Sequence, residues 1–148
     1  MHAKHYAHLA IMAALSFVAM YILMYSMVDQ FANVYNSVNQ FYMAGLMTAP
    51  MVLIELAVMR EMYKNQKANM AVIALSLVAL VGFFCAIRQQ AAVGDAQFLR
   101  SMISHHAGAV LMCNEAPIVR PEIKKLCENI ISSQRQEIDL MKTLLRSN

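Results

Sequence analysis

Charge is what this sequence has least of. Lys, Arg, Asp and Glu make up 14% of its 148 residues, against roughly 25% in an ordinary soluble domain. Only 12 basic residues stand among 9 acidic ones, for a net charge of +3, so no dense basic face exists for nucleic acid and that partner is excluded. Tryptophan is absent and glycine occurs four times. No glycine-rich phosphate loop, nucleophile elbow, repeat of fixed period or low-complexity tract is present, so no catalytic residue is assigned and no reaction is indicated. Disorder is excluded too, because a disordered chain combines low hydrophobicity with high net charge, and here 59% of the residues are hydrophobic.

The hydrophobic residues fall in long runs. Ala7 to Val28 contains no Lys, Arg, Asp or Glu before the flanking Asp29, and at 1.5 Å per helical residue it can cross a hydrocarbon core of about 30 Å. Its length and the lack of a small-residue cleavage site argue for a retained anchor over a signal peptide. Phe41 to Met59 forms a second run, interrupted by Gly45, Pro50 and the lone acid Glu55, and Met70 to Ile87 forms a third. All three are expected to be helices, because backbone groups in lipid must be satisfied within the segment. Residues 1–90 therefore read as a membrane anchor with spans near 7–28, 41–59 and 70–87, and 91–148 as a separate tail. Lys4, Arg60, Lys64 and Lys67 gather on one side of the bilayer and Arg88 and Arg100 on the other, which orients the N-terminus to the cytoplasm. The expectation is a multi-pass protein of a bacterial inner membrane with its tail in the periplasm.

The tail reads as two helices. Asp95 suits the N-cap of the first, which runs to about Glu115; Pro117 and Pro121 bracket a turn, and Pro121 suits the first position of the second helix, which reaches about Leu145. At 100° per residue, Phe98, Leu99, Met102, His105, His106, Ala109, Met112, Cys113 and Ala116 share one arc. Ile123, Leu126, Cys127, Ile130, Ile131, Gln134, Glu137, Ile138, Met141, Leu144 and Leu145 share another. Folded as an antiparallel hairpin, this places His105 and His106 at the level of Gln134, with Met102 and Glu137 nearby and Cys113 opposite Cys127. Two readings compete. Buried His, Gln and Glu can simply bond one another and fix the helix register. Alternatively, imidazole and thioether together bind one soft ion, and copper is the ion this set suits. In that reading His105 and His106 are the first ligands and Met102 and Met112 the next, with Gln134 and Glu137 orienting the imidazoles from behind. Adjacent histidines diverge by about 100° on a helix, so one binds and the other orients. Cys113 and Cys127 admit a disulfide, a thiolate ligand pair or two buried thiols; Cys85 in the third span serves packing.

Methionine is the compositional outlier, with 14 residues. Met is a flexible filler of irregular helix interfaces and also a soft copper donor. Met20, Met24 and Met27 follow one face of the first span, and Met43, Met47 and Met51 one face of the second. Met24, Met27, Met43 and Met47 would lie in the outer half of the bilayer, where they form either a soft-metal relay or ordinary packing. Glu55, the single carboxylate within a span, is either paired structurally, with Arg60 or interfacial water, or a proton or ion site.

The run Met102-Ile103-Ser104-His105-His106 with Ala109 and Met112, followed by Ile130-Ile131, Gln134, Glu137-Ile138 and Met141, resembles the ferritin-like family called domain of unknown function 305. Segments like Tyr42-Met43-Ala44-Gly45-Leu46-Met47 and Met62-Tyr63-Lys64-Asn65 precede that domain in its membrane-anchored members. The resemblance implies a ferritin-like helical hairpin, often multimeric, with some relatives linked to copper handling. Cys113 and Cys127 depart from the family pattern.

The fold expected is thus all-α: three transmembrane helices and a two-helix hairpin, completed into a bundle by homo-oligomerisation. The function expected is sequestration or transfer of a soft metal, copper, on the periplasmic side. The rival is a non-catalytic accessory or assembly subunit of a membrane complex, in which the His, Gln and Glu layer is structural. A di-iron oxidase is set aside, because it needs several inward carboxylates in Glu-x-x-His motifs and none is present.

Overall fold

The computed structural model describes residues 2–147, and its regular elements are all helices, with no strand among those residues. Helix α1 spans His2–Leu23, α2 Val38–Val58, α3 Gln66–Arg88, α4 Asp95–Glu115 and α5 Pro121–Arg146, and two short 3-10 turns, Met24–Met27 and Phe31–Asn33, join α1 to α2. Three helical stretches, Lys4–Met27, Val38–Val58 and Gln66–Arg88, are long and apolar enough to cross a membrane. The regular α-helix ends at Leu23, and Met24–Met27 continues as a 3-10 turn. At three residues per turn, Met24 and Met27 fall on the same side of that turn.

The chain divides into two compact units. In one, α1, α2 and α3 pack around Leu9, Val52, Leu56 and Tyr63, with Tyr6, Met12, Ala13 and Val72 against them. Gly45 is required there: a Cβ at that position would fall within the ring of Phe83. Phe83 in turn stacks edge-on against Phe41, at a centroid distance of 6.1 Å, and Phe41 against Phe17 at 5.0 Å. Pro50 lies inside α2 and withholds one backbone donor. Asn65 starts α3 by accepting from the Ala68 N–H at 3.1 Å. At the far end of α3, Gln90 takes a left-handed φ of 49°. Its side-chain amide exchanges hydrogen bonds of 2.9 and 3.2 Å with Asn39, which stabilises that conformation.

The other unit joins the segment Met24–Val38 to α4 and α5. Its core is Leu99, Ile103 and Ala107 of α4 against Ile138 and Met141 of α5, flanked by Val28, Tyr35, Met102 and Leu145. The anchor-and-tail boundary expected near residue 90 therefore leaves out a piece of the tail unit that comes from far earlier in the chain. Polar bonds dock that piece. Ser104 Oγ donates to the Asn33 carbonyl at 3.0 Å, the Val38 N–H donates to Gln97 Oε1 at 3.0 Å, and Lys142 Nζ donates to Asn33 Oδ1. Gly108 clears a path for it, since a Cβ there would lie 3.3 Å from the Met27 carbonyl oxygen. The N-cap of α4 is Gly94, with Asp95 as the first helical residue. Asp95 thus stabilises α4 through the helix dipole and not as the expected side-chain cap.

Candidate functional site

The hairpin separates the two adjacent histidines. Their ring centroids are 6.0 Å apart with planes at 64°, and His106 is buried while His105 is exposed. Successive residues on a helix diverge by about 100°, so when α4 turns Ile103, His106, Ala107 and Val110 into the unit, His105 must leave it. The expected inward position of His105 is corrected accordingly. Met112, also expected inward, is 54% exposed, and Phe98 is 51% exposed. One partner helix and a short segment cannot cover so wide an arc. Met102, one turn before His106, remains partly buried against the core.

His106 has two different nitrogens. Nε2 lies 2.6 Å from Glu137 Oε2, and the second carboxylate oxygen of Glu137 accepts from Ser133 Oγ at 2.9 Å. Ser133, one turn before Glu137 on α5, was not singled out from sequence; its spacing of four residues from a carboxylate is the signal that marks it. These two bonds, that from Ser133 first, hold the Glu137 carboxyl below its ordinary range. The other nitrogen, Nδ1, is buried and has no hydrogen-bond partner. Buried polar atoms are rarely left so. An imidazole fixed at one nitrogen by a carboxylate and open at the other is the arrangement that metal-binding histidines take. Gln134 is half-buried and shares the hairpin with this pair.

Among the described residues no three His, Cys, Asp or Glu side chains converge on one point. His105, His106, Cys113 and Cys127 therefore form no common ligand set. Cys113 and Cys127 are instead joined to each other in a disulfide, with Cα atoms 5.2 Å apart, and a bonded sulfur is no thiolate ligand. Cys85 is free and exposed on α3.

Of the four methionines of the supposed relay, Met24 and Met27 belong to the hairpin unit and Met43 and Met47 to the three-helix unit. Met43 and Met47 are 39% and 40% exposed, an outward placement that suits lipid. Met20, left out of that set, faces Thr48, whose hydroxyl lies 3.9 Å from its sulfur. Glu55 finds its partner in Tyr63, not Arg60: burial, then the charge and hydrogen bond of Glu55, raise the phenol above its ordinary value. Tyr6 closes this polar cluster by donating to Asn69 Oδ1 at 2.7 Å.

The family model described as Domain of unknown function (DUF305) matches residues 59–145, more than half of the chain. The chain belongs to this family. It is also similar to an uncharacterized protein of Acanthamoeba polyphaga mimivirus, 33% identical over 143 residues that cover 91% of this chain and 89% of the relative. No solved structure matches. The matched segment contains α3, α4 and α5 and hence the whole of the His106, Glu137 and Ser133 arrangement.

Proposed function

We propose that this chain is a membrane-anchored binder of a soft metal ion, copper, which it sequesters or transfers through His106. The observation that carries the reading is the buried, partnerless Nδ1 of His106 beside an Nε2 held by Glu137. Neutral imidazole and thioether both suit Cu(I), and Met102, four residues earlier on the same face of α4, is the nearest thioether in register. The family's ferritin-like hairpin, completed by a second copy, would close the ligand shell; His105 and Met112, exposed on α4, are the side chains a second copy can recruit. The three apolar helices form the anchor. The distribution of basic residues supports the hairpin's lying on the periplasmic side, in a bacterial inner membrane.

Anaerobic titration of the full-length protein with Cu(I) against a competing chelator tests this. We expect binding that weakens about a hundredfold in His106→Ala and about tenfold in Met102→Leu, the scale of losing a ligand worth roughly 1.4 to 3 kcal/mol. Binding indifferent to both substitutions would overturn the reading. One observation favours a second function: His106, Glu137 and Ser133 form a continuous bonded chain between α4 and α5, which is what a structural register lock requires. On that reading the protein is an accessory subunit, and it would co-purify with a stoichiometric partner and no copper.

A further inference from the structure

Cys113 and Cys127 stand apart from the His106 layer. Cys113 follows His106 by seven residues, two turns along α4, near the turn that joins the two helices. The disulfide links positions 14 residues apart, and both cysteines are partly exposed. A partly exposed disulfide is open to thiolate attack. The alignment of α4 and α5 has other support. Ile103, Ala107 and Val110 are wholly buried along α4, the His106 to Glu137 bond ties the helices between core and turn, and Pro117 and Pro121 restrict the connector. In the bonded form the two Cα atoms lie 5.2 Å apart, and these other ties are what would keep the sulfurs opposed once the bond opens. Two opposed thiolates are a donor pair for a soft monovalent ion.

We propose that the Cys113–Cys127 disulfide masks a second, redox-gated Cu(I) site. A dithiol reductant opens it: one reductant sulfur attacks a cysteine sulfur, a mixed disulfide forms, and the second reductant sulfur closes the reductant's own disulfide. Two electrons pass to the protein bond and two protons end on Cys113 and Cys127. Cu(I) then binds the two sulfurs, and both thiol protons leave to solvent. The oxidised protein holds copper only where His106 provides; the reduced protein holds more. This site does not depend on the His106 reading, because its donors are different residues.

The test compares the full-length protein, oxidised or reduced with a dithiol and desalted anaerobically, in Cu(I) titrations read by stoichiometry and by ultraviolet sulfur-to-copper absorption. Wild type and His106→Ala should each take up an additional Cu(I) per chain on reduction, with new sulfur-to-copper absorption. A Cys113→Ser, Cys127→Ser variant should show neither change, while circular dichroism shows the helices retained in all forms. Equal stoichiometry before and after reduction would overturn the proposal, and so would loss of helicity on reduction, since the site requires the sulfurs to remain opposed. Failure of the His106 site alone would appear as an oxidised protein that binds no copper but gains it on reduction.

Discussion

His106 is bonded at Nε2 and bare at Nδ1, and the difference between those two atoms is the chemistry of the site. The Glu137 carboxylate is worth keeping charged, because it receives both Ser133 and His106. Its folded pKa lies below the ordinary 4.5. A depressed carboxylate contributes stability that is present above the unfolded value and lost as pH falls through the folded one. The full-length protein should therefore lose thermal stability as pH drops below about 4.5, and Glu137→Gln should flatten that part of the profile. Because Glu137 is 49% exposed at its side chain, solvent screening keeps the effect small. A variant profile as steep as wild type would show that other carboxylates carry it. At this scale the sequence was half legible. The 100° divergence of neighbouring residues says that His105 and His106 cannot both be buried; which of them turns inward depends on how α4 rolls against α5, and no local pattern sets that. The missing hydrogen bond at Nδ1 is a property of packing alone.

Among the elements, the apolar runs and the prolines were easily read, since period and turn chemistry are local. The start of α5 at Pro121 and the span of α4 from Asp95 to Glu115 agree with expectation. The docking of Met24–Val38 onto α4 was hidden, because it depends on partners 59 to 71 residues away, Gln97 and Ser104 among them. Asn33, almost wholly buried between Asp29 and Lys142, is the polar pin of that contact. Gly108 is the element's permissive position. Gly to Ala inside a helix ordinarily adds up to about 1 kcal/mol, but branched side chains at Gly108 must push back the Met27 carbonyl, and overpacking of this kind costs about 1–3 kcal/mol. Gly108→Val should thus lower the melting temperature and speed hydrogen exchange in Met24–Val38. Gly82→Ala, where an added Cβ meets nothing within 4 Å, should do neither. Unchanged exchange in Gly108→Val would mean that the segment is held without that close approach.

At the scale of the whole molecule, three helices are long and apolar enough to cross a membrane, and a stapled hairpin carries the candidate site. Composition made the first part plain, because few charges and long apolar runs are what make those three helices long and apolar enough to cross a membrane. The methionine excess was harder to divide. Spacing on a helix says which methionines share a face, but whether that face meets lipid or another helix is settled by packing, and Met43 and Met47 face outward where Met20 meets Thr48. The proposed soft-metal function rests on one imidazole and its thioether neighbour. The most direct measurement is the copper-edge X-ray absorption spectrum of the full-length protein, disulfide intact, loaded anaerobically with equimolar Cu(I). With both hairpin cysteines bonded and the one free thiol among the described residues removed by Cys85→Ser, sulfur near copper reports thioether. The account predicts nitrogen and sulfur together in the first coordination shell, with the nitrogen diminished in His106→Ala. A shell of oxygen alone, or a spectrum unchanged by that substitution, would contradict it.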